Sequence, residues 1–439
     1  MTMKGMRPSA GALGVAVLLG LLGTRARAEE PPYTGGTILR SSTFTGDWRG
    51  ARNDLADKGI TLDASVTQVE QGVVSGGKSG AWEYGGRGIL TGNLDTQKLG
   101  LWPGGFLTVE LEGNWGRSVD DKTGAIMAAD TNQLFPVPVG SNVGLPNLSF
   151  AQFLSHYAGV VVGKLDTTSG DANEFAHGKG DSNFFNLAFE FNPVALTATP
   201  YSTLGGGLIV LPTKDPDAAV VKFLVISSSG KATTSGFNDL AGDNLTFVAE
   251  GRVRTDFFAL TGHQLVGAEY SNKLFKALDQ RIADVVENRA LVPKRDSWDV
   301  YYNFDQFLYE TDESKGQGVG LFGRFGASDG NPNPAHYFAS AGVGGKGIIP
   351  SRELDQFGIG YYYLWIGNPT LRLPLSTRSF LRDEWGVEAF YNVALTPWML
   401  LTPDVQVVGP TQKQERTGFL QRQSIGTATI LGIRLQLIF

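Results

Sequence analysis

The sequence predicts an all-β chain: a transmembrane antiparallel β-barrel of about sixteen strands, preceded by a short N-terminal helix. Segments of about ten residues alternate apolar and polar to the end of the sequence. After residue 28, no apolar run approaches the ~18 residues of a membrane-spanning helix. Aromatic residues gather at strand ends: Trp298, Tyr301, Tyr302 and Phe304; Tyr361 to Tyr363 with Trp365; and Trp398. Barrels carry interfacial girdles there. The chain has 439 residues, 58 glycines, no cysteine and a net charge of −6. Without a basic block, nothing supplies the phosphate-neutralising surface of a nucleic-acid binder. Without cysteine, disulfides and thiolate metal sites are excluded, as suits an oxidising compartment.

Residues 1–28 read as a Sec-type secretory signal. Lys4 and Arg7 give a positive start, Ala10 to Gly23 an apolar stretch, and Ala26-Arg27-Ala28 a small-x-small cleavage site. Cleavage would remove Lys4, Arg7, Arg25 and Arg27, and so deepen the −6 charge by four. A segment over residues 29–59 follows. Within it, Gly46 to Gly59 is punctuated as a helix, with Asp47 as cap, Ala51, Leu55 and Ala56 as a modest apolar stripe and Gly59 as terminator. This helix is expected at the periplasmic mouth, where it either leads into the first strand or partly plugs the lumen.

The barrel is expected over residues 60–439. In its first strand Ile60, Leu62, Ala64 and Val66 face away from Thr61, Asp63, Ser65 and Thr67. Leu107, Val109 and Leu111 likewise oppose Thr108, Glu110, Glu112 and Asn114. Trp385, Val387, Ala389, Tyr391 and Val393 oppose Glu384, Gly386, Glu388 and Asn392. At the end of the sequence Leu431, Ile433, Leu435, Leu437 and Phe439 share one face. An unpaired apolar strand would be a sticky edge, and pairing with the first strand removes it. Leu435, Leu437 and Phe439 also resemble the signal read by the bacterial barrel assembly machinery. The ~410 residues after the signal allow roughly fourteen to eighteen strands. A barrel that wide leaves an aqueous channel. Short turns at Leu101 to Gly105 and Leu395 to Trp398 are expected on the periplasmic side. Polar stretches near 116–146, 166–184 and 273–297 suit outer loops, or a loop folded into the pore.

Several strings then resemble the carbohydrate-selective porins of Gram-negative outer membranes, the OprB-like family. One is Thr45-Gly46-Asp47-Trp48-Arg49-Gly50-Ala51-Arg52; others are Gly163-Lys164-Leu165-Asp166, Asn173-Glu174-Phe175-Ala176 and Pro200-Tyr201-Ser202. The longest is Leu321-Phe322-Gly323-Arg324-Phe325-Gly326 with Ser328 to Pro334, followed by Gly344-Gly345-Lys346-Gly347 and Phe357 to Tyr362. Tyr391 to Trp398 and Thr402-Pro403-Asp404 close the series. The resemblance implies an outer-membrane barrel of about sixteen strands that passes sugars by diffusion. At Pro350-Ser351-Arg352 the sequence departs from it, because the family usually shows glycine between proline and arginine.

A sugar-passing lumen offers charged donors and acceptors for hydroxyls and aromatic platforms for ring faces. Facing assigns an inward set that includes Glu112, Asp299, Glu388, Asp404 and Arg434. Within it, Arg87, Glu110, Lys164, Asp166, Glu250, Arg252, Arg254 and Arg324 are the candidate pore lining. The bland reading of each is cross-pairing along the wall. The expected partners are outer-membrane lipid, small carbohydrates and the assembly machinery; the sequence leaves monomer or homotrimer open, and no cofactor is expected.

Some motifs suggest other chemistry. Gly72 to Ser79 matches the phosphate-loop pattern, but Gly80 to Gly86 after it does not read as a helix. Two G-x-G-x-x-G matches, at Gly318 and Gly342, open no helix either. His156, His177, His263 and His336 form no metal motif, and Ser149 and Ser155 near His156 are not aligned as nucleophile and base. A general diffusion pore, a barrel hydrolase and an adhesin or receptor stay open as alternatives.

Overall fold

The computed structural model describes residues 33–136, 143–169, 172–213, 215–240, 244–279, 292–313, 316–367, 370–373, 376–379, 381–416 and 422–439. The secretory signal lies outside them. Strands run in chain order as β1 (Ile60–Gly77), β2 (Ala81–Asp95), β3 (Gly105–Gly116), β4 (Val143–Phe153), β5 (Ala158–Asp166), β6 (Ser202–Val210) and β7 (Ala219–Ser227). They continue as β8 (Leu245–Thr255), β9 (Gly262–Lys276), β10 (Pro293–Asp312), β11 (Gln317–Ser328), β12 (Ala335–Lys346) and β13 (Gln356–Ile366). The last are β14 (Thr370–Leu373), β15 (Ser376–Ser379), β16 (Glu384–Thr396), β17 (Met399–Gly409), β18 (Gln414–Arg416), β19 (Arg422–Ser424) and β20 (Gly426–Ile438). Sixteen of them close into one antiparallel barrel, while β14–β15 and β18–β19 are separate hairpins within long connections. Closure joins β20 to β1, from Ser65 opposite Ile438 to Gly77 opposite Gly426.

The alternation works as the pleat requires. Leu62, Leu90, Leu111, Val162, Val266, Ile359, Leu431 and Ile433 are exposed on the outer wall, where a membrane covers them. Trp82, Trp115, Trp298, Tyr361 and Trp365 form an outer aromatic band. Three expected girdle residues depart from it. Tyr301 and Tyr362 point inward and are buried, because register decides facing and each lies next to residues of the opposite parity. Trp398 is buried as well, beneath the N-terminal segment.

The longest connections fall on one rim and the N-terminal segment and Phe439 on the other, where most of the short turns lie; the tight β1–β2 turn (78–80) and the β11–β12 link (329–334) are exceptions on the rim of the long connections. Of the stretch expected as a loop over 273–297, residues 273–276 belong to β9 and 293–297 to β10, while 280–291 lie outside the described residues. The Gly72 to Gly77 stretch is also strand. The N-terminal helix α1 (Ala51–Asp57) is shorter than its punctuation suggests. Its N-cap is Gly50 at φ 93, with no side-chain cap, and Asp47 instead accepts from the Arg49 amide at 3.1 Å. Gly59 does close it, at φ 87. Ser351 adopts φ 64, so this turn keeps a conformation that favours glycine although serine occupies it.

The wide lumen is largely filled by the chain itself. The β5–β6 connection, described over 172–201, enters the barrel and lays Phe175, Phe184, Phe189 and Phe191 against inward Phe307, Phe322, Tyr362 and Phe390. Phe184 lies tilted against Phe189 and edge-on to Phe390, at ring centroids 4.5 and 4.8 Å away. Each buried ring contributes about 1.5–3 kcal/mol, so the aromatic cluster dominates the docking. The wall admits the rings because it is bare where they land. A Cβ at Gly344 would lie 2.5 Å from Phe175, and one at Gly360 2.5 Å from Phe189. Behind β1, β17 and β20 a second cluster, with Val119 and Ala129, seats the β3–β4 connection.

Gly360→Leu should therefore lift Phe189 off the wall and cost about 1–3 kcal/mol. In urea titrations of the detergent-folded protein the unfolding midpoint should fall while the far-ultraviolet spectrum at rest stays that of a barrel. An unchanged midpoint would show that the rings do not depend on this bare wall.

Candidate functional site: the lumen

Backbone buried in the lumen needs partners, and inward charges of the wall supply them. From β11, Arg324 donates through Nη1 to the Phe189 carbonyl at 2.8 Å and through Nη2 to the Ala176 carbonyl at 2.5 Å. From β20, Arg434 donates to the carbonyls of Gly180 and Asn183 at 2.7 and 2.8 Å, with its guanidinium 4.2 Å from the Phe185 ring centre. From β16, Glu388 accepts the amides of Phe185 and Asn186 at 2.5 and 2.9 Å. Glu384 similarly accepts the amides of Ile126 and Met127, at 2.7 and 3.0 Å, and so holds the β3–β4 connection. Charge-assisted bonds of this kind are about twice as strong as neutral ones.

The candidate lining divides three ways. Arg87 and Arg324 face inward as expected but are fully covered by the β5–β6 connection. Arg87 bonds the Lys179 carbonyl at 3.0 Å and the Asp181 carboxylate at 2.6 Å, and its Nη1 lies 3.1 Å from Glu112. Asp166 pairs with Lys179, Glu110 lies 3.5 Å from the same ammonium, and Tyr201 donates to Glu112. Lys164 is buried as well, donating to the carbonyls of Ala232 and Thr234 in the β7–β8 connection. Arg254 sits at the short-turn rim, bridging Asp256 at 3.0 Å and Glu313 at 2.6 Å.

Glu250 and Arg252 of the candidates stay half-buried on β8, where neither is taken up by loop backbone. Glu250 pairs with Lys222 of β7 at 2.9 Å and accepts from the Tyr301 hydroxyl at 3.0 Å. Arg252 makes no hydrogen bond or ion pair among the described residues and lines a small gap with Asn173, His263, Asn303 and Asp305. His263 Nδ1 lies 2.8 Å from Asp305. The β5–β6 connection also presents Glu174 and His177, both half-buried, Glu174 within the field of Asp305, Lys346 and Arg252. Burial pushes the Glu174 carboxyl up to about 7, with Asp305 adding to the rise, and pushes the His177 imidazole down to about 4. Lys222, Glu174 and His177 escaped the facing analysis. Lys222 stands in an apolar strand, and nothing local in the sequence places a loop residue in the lumen.

Inward charge, an aqueous-width barrel and a loop folded within it define a membrane diffusion pore, in which solute moves through a narrowed polar passage. The family model described as the carbohydrate-selective porin, OprB family, matches residues 80–439, and the chain belongs to that family. It is thus an outer-membrane porin for carbohydrates, and not an enzyme. The high-pH structure of Pseudomonas putida OprB is similar at TM-score 0.76 and 18% identity, covering 92% of this chain and 100% of that one. The low-pH structure of Pseudomonas putida OprB gives TM-score 0.55 at 16% identity, over 91% and 99%. No curated protein matches the sequence.

Glu190 adds a pH dependence to the docking. It is 1% exposed, and burial pushes its carboxyl up to about 8 despite Arg324, Arg434 and the Gly180 backbone. A carboxyl raised above its ordinary value favours the folded loop in its protonated form. That contribution is complete below the ordinary carboxyl range and is lost as pH rises through about 8. Protease cleavage within 172–201 in reconstituted vesicles should accordingly rise between pH 6 and 9, and Glu190→Gln should flatten the rise. Cleavage that falls with pH would contradict this reading.

Proposed function

We propose that the solute path runs along the β7–β8 wall, between Lys222, Glu250 and Arg252 on one side and Glu174 and His177 of the β5–β6 connection on the other. The observation that carries it is that these inward charges remain half-exposed while Arg87, Arg324 and Arg434 are spent on loop backbone. Monosaccharides such as glucose, with small oligosaccharides behind them, suit this passage: Arg252 has donors free for adjacent hydroxyls, and the Lys222–Glu250 pair offers both a donor and an acceptor. Arg87 and Arg324 then act as positioning residues, setting the width of the passage without meeting the sugar.

The short-turn rim faces the periplasm in this reading, which the usual asymmetry of short periplasmic turns and long outer loops supports. Residues 1–28 are removed on export, 29–59 form a segment at the periplasmic mouth, and 60–439 make the pore. Leu435, Leu437 and Phe439 are the stretch offered to the assembly machinery before closure.

In planar bilayers, ion current through the purified protein should be blocked saturably by glucose. Arg252→Ala should raise the half-blocking concentration about tenfold, the value of one charge-assisted hydrogen bond of ~1.5 kcal/mol. Block that is unchanged in Arg252→Ala would put the path elsewhere in the lumen.

A further inference from the structure

The pair β1–β20 is where the barrel closes on itself, so it joins the two strands farthest apart in sequence. Segment 33–59 crosses this seam at its short-turn end. Arg52 of α1 is 2% exposed and its Nη2 reaches both strands: it donates to the Leu62 carbonyl, lies 3.2 Å from Asp63 Oδ1 on β1, and donates to the Phe439 carbonyl at 3.0 Å beyond β20. Its Nη1 donates to Thr43 Oγ1 at 3.1 Å, and Tyr33 covers the guanidinium at 3.7 Å while its hydroxyl donates to Asp63 at 3.0 Å.

The same segment grips β20 by backbone and ring. The Phe44 amide donates to the Ile438 carbonyl at 2.7 Å, which extends the ladder past the end of the strand. Its ring stands 4.8 Å from Trp398 and 5.5 Å from Phe439. Trp398, in the β16–β17 turn, in turn donates its indole N–H to the Ile38 carbonyl at 2.6 Å.

We propose that residues 33–59 are a lock on barrel closure, with Arg52 as its central contact: a site on the N-terminal segment whose ligand is the paired ends of β1 and β20. None of its contacts involves the half-exposed charges of the solute path, so the lock stands or falls independently of the transport reading. Its energetic logic is that a guanidinium removed from water must keep all its acceptors. Leu62 and Asp63 of β1 and Thr43 of the segment supply three of those acceptors, and the fourth, the Phe439 carbonyl, is presented only when the seam is closed, so opening the seam takes an acceptor from a buried charge. A lead-in segment without this role would need no buried arginine bridging the two strands.

The test separates the seam from general damage. Thr67 and Gln436 are buried opposite each other across β1 and β20, and the chain has no cysteine of its own. A Thr67→Cys/Gln436→Cys pair therefore staples the seam when oxidised. Unfolding rates in urea are read on the full chain in detergent by the loss of the compact, heat-modifiable band. Arg52→Ala should unfold tenfold faster or more, Phe44→Ala should be faster by a smaller factor, and oxidation of the staple should abolish both differences. If Arg52→Ala does not fold, it should fold once made in the oxidised stapled background. Wild-type unfolding rates in Arg52→Ala, an acceleration that survives the staple, or failure of the staple to restore folding would each overturn the proposal.

Discussion

The structure depends on one exchange: inward charges on the barrel wall satisfy the backbone of a loop that has left water. A barrel of sixteen strands is too wide for its own side chains to fill. The β5–β6 connection fills much of the remainder, and its carbonyls and amides arrive with no partners of their own. Arg324, Arg434 and Arg87 supply donors and Glu388 acceptors, each from a different strand. Because these groups are fixed on a closed sheet, they hold the loop in one place, and the phenylalanine cluster seals that place against water.

The lumen is thereby split into two sectors. Around β10 to β16 it is packed with buried aromatic side chains. Along β7 and β8 it stays polar and half-exposed. On the proposed path, a neutral solute rich in hydroxyls exchanges water for hydrogen bonds in the second sector, with the aromatic sector bounding its width. Selectivity then follows from which charges are left over after the loop has been anchored. The net charge of the chain has little say in it.

The barrel itself was legible because strand facing is a local property. Period-two alternation, the absence of a spanning helix and the apolar face of Leu431 to Phe439 all report on neighbours in sequence, and the resemblance supplied the family. The inward direction of Arg87, Arg324, Glu250 and Arg252 was legible for the same reason. What each one meets was not. Arg324 and Arg252 look alike in the sequence, and only the course of a loop far along the chain makes one an anchor and leaves the other free. Lys179, Glu190 and the landing sites for rings at Gly320, Gly344, Gly358 and Gly360 are invisible for that reason too. Tyr301, Tyr362 and Trp398 show the converse error, where aromatic character suggested a girdle and register or turn placement sent the ring inside.

The central claim is that a neutral sugar crosses this lumen through a passage that recognises it. Swelling of proteoliposomes in isosmotic solutions measures this most directly, comparing a cyclic hexose with an open-chain neutral polyol of similar size. Faster swelling in the hexose, slowed by a competing disaccharide, is the predicted result. Equal rates for hexose and polyol, with no competition, would mean a passive sieve and contradict the account.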